Sequence, residues 1–522
     1  MAQSGEQSVS LWMANTKRPR QAELEHNTRA DVCVVGAGIA GLSTAYFLAK
    51  EGKSAVVLDD GPIGGGQTQR TTAHLSNAID DRYIEIERLH GEQGARLAAE
   101  SHTAAINRIE LAVREEAISC DFERLDGYLF VPPGESTEIL DREWEAARRA
   151  SLTDVERLTR TPISSFNLGE CLRFPNQGQF HPLKYLSGLA TAFTKMGGSI
   201  FTGSHVEFVE GGSSAHVKTA KATVSCSAIV VATNSPINDK YAIHTKQAPY
   251  LTYVVAAPVP RGSVHKGLYW DTLDPYHYVR LQSGEGGDRS QGHAGSQELL
   301  IVGGEDHKTG QADDQAERHA RLEAWARERF PMMGPLAFRW SGQVMETVDG
   351  LAFIGRNPLD EPNVYIATGD SGMGMTHGTI AGLLLTDLIL GRDNPWAKVY
   401  DPSRKTLRAA GEFTRENLNV AMQYADWLTG GEVSSGQEIK PGTGALVRQG
   451  LSKVAVYREP NGTMHQFSAT CLHLGCIVDW NDSEKTWDCP CHGSRFDKTG
   501  KVINGPANSD LSALATGRAG PR

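Results

Sequence analysis

Two short stretches late in the sequence carry its densest metal-binding chemistry. Cys471-Leu-His473-Leu-Gly-Cys476 and Cys489-Pro-Cys491-His492-Gly-Ser494 each offer one cysteine and one histidine at ligand spacing, and together they hold four of the eight cysteines. Cys33, Cys120, Cys171 and Cys226 are scattered, so only the crowded set reads as a site. Two Cys/His pairs suit tetrahedral zinc as well as iron. A second chemistry lies early in the chain, where Gly36-Ala-Gly38-Ile-Ala-Gly41 is followed by the acidic Asp59. The first glycine permits a tight turn, the second lets backbone N–H groups approach a pyrophosphate at a helix N-terminus, and the third lets helix and sheet pack closely. Asp59 can accept from ribose hydroxyls. Other groups have looser spacing. Tyr276, Tyr278 and Arg280 alternate on one face of a run that reads as a strand, where they either line a pocket or pack a sheet. His377 is a candidate acid or base.

These residues need elements to hold them. Residues 31–36 are an apolar run ending in glycine, residues 39–50 have helical spacing and residues 54–59 are a second apolar run, which puts a strand, helix, strand unit around the glycines. Helical periodicity recurs over 80–117 and 313–329, and an apolar helix over 379–390 stops at Gly391. Strands are expected over 127–131, 228–232, 250–257, 276–281, 299–303 and 363–369. Residues 1–30 are polar and irregular, an N-terminal extension that lies on the domain or is partly disordered, with little expected function. A first domain spans 31–400, with an interleaved subdomain including about 246–337. Residues 401–437 form a linker helix and a flexible break, and 438–522 read as a small all-β domain. With 52 Lys+Arg against 62 Asp+Glu, a net charge of -10 and no basic stripe, nucleic acid is not an expected partner. No apolar run has the length of a membrane span and no apolar signal core follows Lys17-Arg18-Pro19-Arg20, so the expected location is the cytoplasm.

From residue 31 to about 390 the chain resembles the FAD-dependent D-amino-acid and glycine oxidase family of amine-oxidising flavoproteins. The resemblance rests on the glycine fingerprint, on the loop from Gly64 through Arg70 and Thr71 to His74, and on the strand end Val230-Val-Ala232-Thr233. It also rests on Arg339-Trp340-Ser-Gly342 to Asp349-Gly350 and on Gly369-Asp-Ser-Gly372-Met373-Gly374-Met375-Thr376. It implies an α/β Rossmann-like FAD-binding domain with an interleaved α+β substrate domain. The implied flavin contacts are Gly36, Gly38, Gly41, Asp59, Arg70, Thr71, His74, Ala232, Thr233, Gly369, Gly372, Met373, Gly374, Met375 and Thr376. In that family the last loop opens a helix whose positive end faces the flavin pyrimidine ring and stabilises the anionic reduced flavin. No second glycine fingerprint for a nicotinamide nucleotide follows the first, which favours direct oxidation of an organic substrate. Where these oxidases commonly place an arginine for a substrate carboxylate, this chain has Gln343 and Val344, which argues against an α-amino acid. His74 lies near the place where sarcosine and dimethylglycine dehydrogenases attach flavin covalently; here it is expected to pack or hydrogen-bond instead. Tyr276, Tyr278 and His377 are the catalytic candidates.

From about 438 to 511 the chain resembles the Rieske proteins, through the two Cys/His loops together with Gly475, Pro490, Gly493 and the Gly505-Pro506 turn, and this disfavours zinc. The resemblance implies a 2Fe-2S cluster with Cys471 and Cys489 on one iron and His473 and His492 on the other. Neutral imidazoles in place of thiolates raise such potentials to about -150 to +300 mV. It also implies a disulfide between Cys476 and Cys491, and a Ser494 hydroxyl directed towards sulfur. The combined expectation is an enzyme that oxidises a small organic substrate, an amine first, at FAD, and passes electrons singly through the cluster to a one-electron acceptor protein or a quinone. The competing expectation runs the other way, with an external donor reducing the cluster and the flavin acting downstream.

Overall fold

The computed structural model describes residues 8–18, 21–163, 165–166, 168–238, 243–283 and 297–514. At its centre lies the run Val32–Val35, buried at every position, which is the burial of an inner parallel strand rather than of a one-sided one. Among the described residues it belongs to a six-stranded sheet in the order Phe353–Arg356, Val364–Thr368, Ala228–Asn234, Val32–Val35, Ala55–Leu58, Ser199–Phe201. All neighbours are parallel except at the Phe353–Arg356 edge. The helix Ile39–Lys50 follows the central strand, and the helix Gly374–Ile389 packs directly on it. A Cβ at Gly378 would lie 2.6 Å from Ile39 Cγ2, and one at Gly382 would lie 2.7 Å from Ser43 Cβ, so only glycine allows the two helices this approach. The second helix starts five residues before the predicted position. Its glycine-rich first turn reads as a loop, but burial of Met375, Thr376 and His377 holds it helical.

A larger sheet faces the first. Its strands run in the order Phe338–Thr347, Gln247–Pro260, Gln297–Lys308, Tyr278–Ser283, Leu268–Asp271, Glu123–Phe130, Cys171–Gln179, His74–Leu75, with Glu156–Leu158 paired to Cys171–Gln179. It therefore draws on residues 74–179 as well as on the 246–337 stretch. One face shares the main core through Trp340, Val254, Ala256 and Ile301. The helix Gln315–Arg329 covers the other face with Leu322 and Ala326. Tyr276 lies just outside the strand Tyr278–Ser283; the intervening His277 gives its N–H to the Asp271 side chain at 3.0 Å rather than to a ladder.

The described part of the N-terminal extension lies on the flavin domain but is not irregular throughout. Ser10 caps a short helix, Leu11–Asn15, whose Leu11 and Trp12 are fully buried, and the Trp12 indole donates to the Thr71 carbonyl at 2.6 Å. Thr28–Arg29 then adds a strand beside Thr223–Ser225. A five-residue helix is too short to show periodicity, which is why the sequence reads as irregular there. At the other end, the helix Ala410–Gln423 leads into two small antiparallel sheets. They are built from Thr443–Gln449, Ser452–Arg458 and Met464–Ser468, and from Asp479–Asn481, Thr486–Asp488, Arg495–Asp497 and Val502–Asn504. Trp487, Phe496, Val478 and Leu446 form their core.

Candidate flavin and cluster sites

A cavity of about 960 Å³ runs between the two large sheets, over the C-terminal ends of the parallel strands, from Asp59 at one end to Tyr276 and Tyr278 at the other. Gly36 and Gly41 are forced by contact. A Cβ on Gly36, at φ +107°, would lie 2.4 Å from the Ala232 carbonyl oxygen, and one on Gly41 would lie 1.9 Å from the Gly36 oxygen. Gly38 instead faces the cavity, where a Cβ would fill space beside Thr68. Asp59 accepts from the backbone N–H of Ala37 at 2.6 Å and of Gly61 at 2.8 Å, which fixes the turn. Burial, with Asp60 adding repulsion, pushes its carboxyl up to about 7. These features fit FAD: an open helix N-terminus for a pyrophosphate, an acid for a ribose and a cradle that any Cβ would obstruct. Thr71, His74, Thr233, Gly369, Gly372, Met373, Gly374 and Met375 also line the cavity.

Two of the predicted flavin contacts have their functional groups elsewhere. The Thr376 hydroxyl donates to the Met373 carbonyl and bonds the His102 ring at 2.8 Å, away from the cavity wall. Arg70 contributes to the wall, but its guanidinium donates to Glu484 at 3.0 Å and to the Ser341 carbonyl at 2.9 Å. Arg280, which alternates with the tyrosines, is wholly buried and donates to the carbonyls of Thr72, Ala73 and Phe180, so it holds the His74 loop from behind. His74 bonds Thr72 Oγ1 at 3.1 Å; burial, helped by Arg280, lowers its pKa to about 3 and keeps it neutral.

The end of the cavity at Tyr276 and Tyr278 is acidic, a property the sequence does not reveal. Asp80, Asp306, Glu346 and Asp370 come from four separate segments and converge there. Tyr276 Oη donates to Asp80 Oδ2 at 2.8 Å, and Tyr278 Oη bonds Thr252 Oγ1 at 2.6 Å. Burial raises Asp80 and Asp306 to about 7 and Asp370 to about 6. Glu346 is pushed well above the carboxylate range by burial and then by repulsion from Asp81, Asp80, Asp370 and Asp306. His377 also lines this end. Its Nδ1 lies 2.9 Å from the Asp370 carbonyl oxygen, which can only accept, so Nδ1 carries the proton and Nε2 keeps its lone pair. Burial lowers this histidine to about 4.

In the C-terminal domain the two Cys/His loops meet. Cys471 and Cys489 are buried thiols, and the rings of His473 and His492 stand 4.9 Å apart at 90°. Cys476 and Cys491 form a disulfide between the loops, with Cα atoms 6.4 Å apart. Ser494 is fully buried, its hydroxyl hydrogen-bonded to Cys471 and accepting from the Ala507 N–H at 2.9 Å. Two thiols and two imidazoles facing one another fit a 2Fe-2S cluster with mixed ligands.

The two sites are joined by a buried junction. Glu484 accepts from Arg70, from the Ser341 hydroxyl at 2.6 Å and from the Ser8 hydroxyl at 2.6 Å. Burial alone would raise its pKa, but Arg70 and Arg495 outweigh that and hold it at about 2. Gln343, where the sequence resemblance leads one to expect an arginine, turns to this junction. Its Nε2 donates to the Gly493 carbonyl at 2.9 Å and its Oε1 accepts from Asn504.

The first domain thus has the form of a FAD-dependent oxidoreductase and the second that of a Rieske 2Fe-2S domain, in one chain. Residues 31–388 match the FAD dependent oxidoreductase family, to which this chain belongs, and residues 431–515 match the Rieske [2Fe-2S] domain. The protein YhfW of Bacillus subtilis (strain 168), whose given name places it with Rieske 2Fe-2S iron-sulfur proteins, is 30% identical over 97% of this chain and 97% of its own length. Gamma-glutamylputrescine oxidoreductase of Escherichia coli (strain K12) is 28% identical over 70% of this chain and 85% of its own. Glycine oxidase from Geobacillus kaustophilus superposes with a TM-score of 0.58 at 17% identity, over 73% of this chain and 100% of that one, a likeness of fold. The first domain binds FAD and the second a 2Fe-2S cluster, as the sequence leads one to expect. No helix among the described residues is long and apolar enough to cross a membrane.

Proposed function

We propose that the protein oxidises the C–N bond of a cationic amine that lacks an α-carboxylate, and passes the electrons through the Rieske cluster to a one-electron acceptor, a protein or a quinone. The observation that carries this reading is the acidic end of the cavity. Asp80, Asp306, Glu346 and Asp370 are carboxyls that ionise against an ammonium group, while the guanidinium of Arg280 and the amide of Gln343 are committed to backbone carbonyls. The ammonium sits against these carboxylates, with Tyr276 and Tyr278 along its flank. Oxidation needs the neutral amine, and Asp80, poised near neutrality, takes its proton. His377 Nε2 is the alternative acceptor on the same wall. Bound FAD supplies a two-electron acceptor and the bound cluster a one-electron carrier. A relative named as an oxidoreductase of gamma-glutamylputrescine supports the amine class. The free thiols Cys33, Cys120, Cys171 and Cys226 support a cytoplasmic location.

The test is an anaerobic screen of flavin reduction across amines, amino acids and hydroxy acids. Amines should bleach the flavin first and the cluster second, and glycine and D-alanine should react poorly. Efficient turnover of glycine would remove the argument from Gln343. If no organic substrate bleaches the flavin while an external donor reduces the cluster and then the flavin, electrons run in the opposite direction.

A further inference from the structure

The loop that carries His492 is pressed onto the wall of the flavin cavity rather than turned to solvent. A Cβ on Gly493 would lie 2.4 Å from Pro249 Cβ and 2.6 Å from Gln343 Nε2, so the loop backbone touches the flavin domain directly. Gln343 both lines the flavin cavity and donates to the Gly493 carbonyl. A third contact comes from Gln311, whose Nε2 donates to the Pro490 carbonyl at 3.1 Å. His244, which is 2% exposed, belongs to the flavin domain. Its ring lies 4.7 Å from that of His473 and 5.9 Å from that of His492, against both imidazoles expected to hold iron. His492 itself is 5% exposed. The other ligand loop keeps one outward side, where Leu472, between Cys471 and His473, is 49% exposed.

We propose that His244 and Gln343 form a fixed internal dock for the cluster. His244 closes the histidine edge, and Gln343 joins the ligand loop to the flavin cavity, so that flavin and cluster exchange electrons within one chain. An external redox partner then meets the cluster from the Leu472 side. In the oxidative direction each transfer removes one electron from reduced flavin and turns one ferric ion of the cluster ferrous. A one-electron acceptor takes that electron from the iron before the second follows. His244 and Gln343 are positioning residues here. The inference rests on the proposed exchange between flavin and cluster, and on neither the substrate nor the direction of flow.

The test uses the full holoprotein with light as the electron source, so a failed amine screen and a failed dock are separate results. The flavin is photoreduced anaerobically and cluster reduction is followed by visible circular dichroism. The expected rate is first-order and independent of protein concentration, and Gln343→Leu should slow it at least tenfold with iron, sulfide and FAD contents unchanged. Diethyl pyrocarbonate, which modifies accessible imidazoles, should bleach the cluster of His244→Ala at least tenfold faster than that of the wild type, while His244→Phe stays protected. A rate proportional to protein concentration overturns the dock, as does a wild-type cluster bleached as fast as that of His244→Ala. Should His244→Ala fail to retain its cluster, the wild-type concentration series and the His244→Phe comparison still decide.

Discussion

Glu346 shows how a single side chain tests the substrate reading. Burial and its acidic neighbours hold it protonated before an amine binds and an arriving ammonium ionises it, so Glu346→Gln should weaken amine binding without unfolding the chain. The expected rise in KM is about tenfold, or ~1.4 kcal/mol. The same wall sets a pH dependence. Asp80 and Asp306 stand at about 7 and Asp370 at about 6 without a cation. A bound ammonium lowers these values, so binding releases protons and tightens as pH rises through 6 to 7. KM should fall between pH 6 and pH 8, and a flat or rising profile would remove these carboxylates from the binding site. The His74 ring is tied through Nδ1 to Thr72, and acid precipitation should release free FAD; a pellet that stays yellow after washing would show covalent attachment. At this scale the glycines and the Cys/His loops were legible because their chemistry is encoded in local spacing. The acidic wall was not, because Asp80, Asp306, Glu346 and Asp370 are brought together only by the tertiary fold.

Among the elements, the N-terminal helix Leu11–Asn15 shows most clearly what a sequence reading lacks. Its Trp12 is fully buried, donates to Thr71 and packs edge-on against His181, so it braces the loop that lines the flavin cavity. Trp12→Ala should cost about 3–5 kcal/mol, the range for deleting a buried aromatic. Denaturant unfolding of the holoprotein measures it, and a loss under 1 kcal/mol would mean that the helix merely lies on the surface. The parallel strands and the helix Ile39–Lys50 were readable because burial and periodicity repeat over several residues. The start of the helix Gly374–Ile389 was not, since glycines that look like loop residues are there to let two helices touch.

For the molecule as a whole, the junction at Glu484 decides whether the domains act as one body. Removing one partner of a buried ion pair leaves the other uncompensated, so Glu484→Ala should lose about 3–5 kcal/mol. Because the folded-state pKa of Glu484 is depressed to about 2, its contribution is present above the ordinary glutamate value and is lost as pH falls through about 4 towards 2. In a wild-type acid titration the junction should therefore weaken in that window, whereas Glu484→Gln should show no such step. The junction also reaches the nucleotide end of the cavity. Asn508 of the Rieske domain donates to the Val206 carbonyl at 2.8 Å, and Lys501, Gly505 and Asn508 share the cavity wall with Asp59 and Gly61. Rieske-domain residues therefore wall part of the FAD site, and protein made without iron should shed FAD faster than the intact holoprotein.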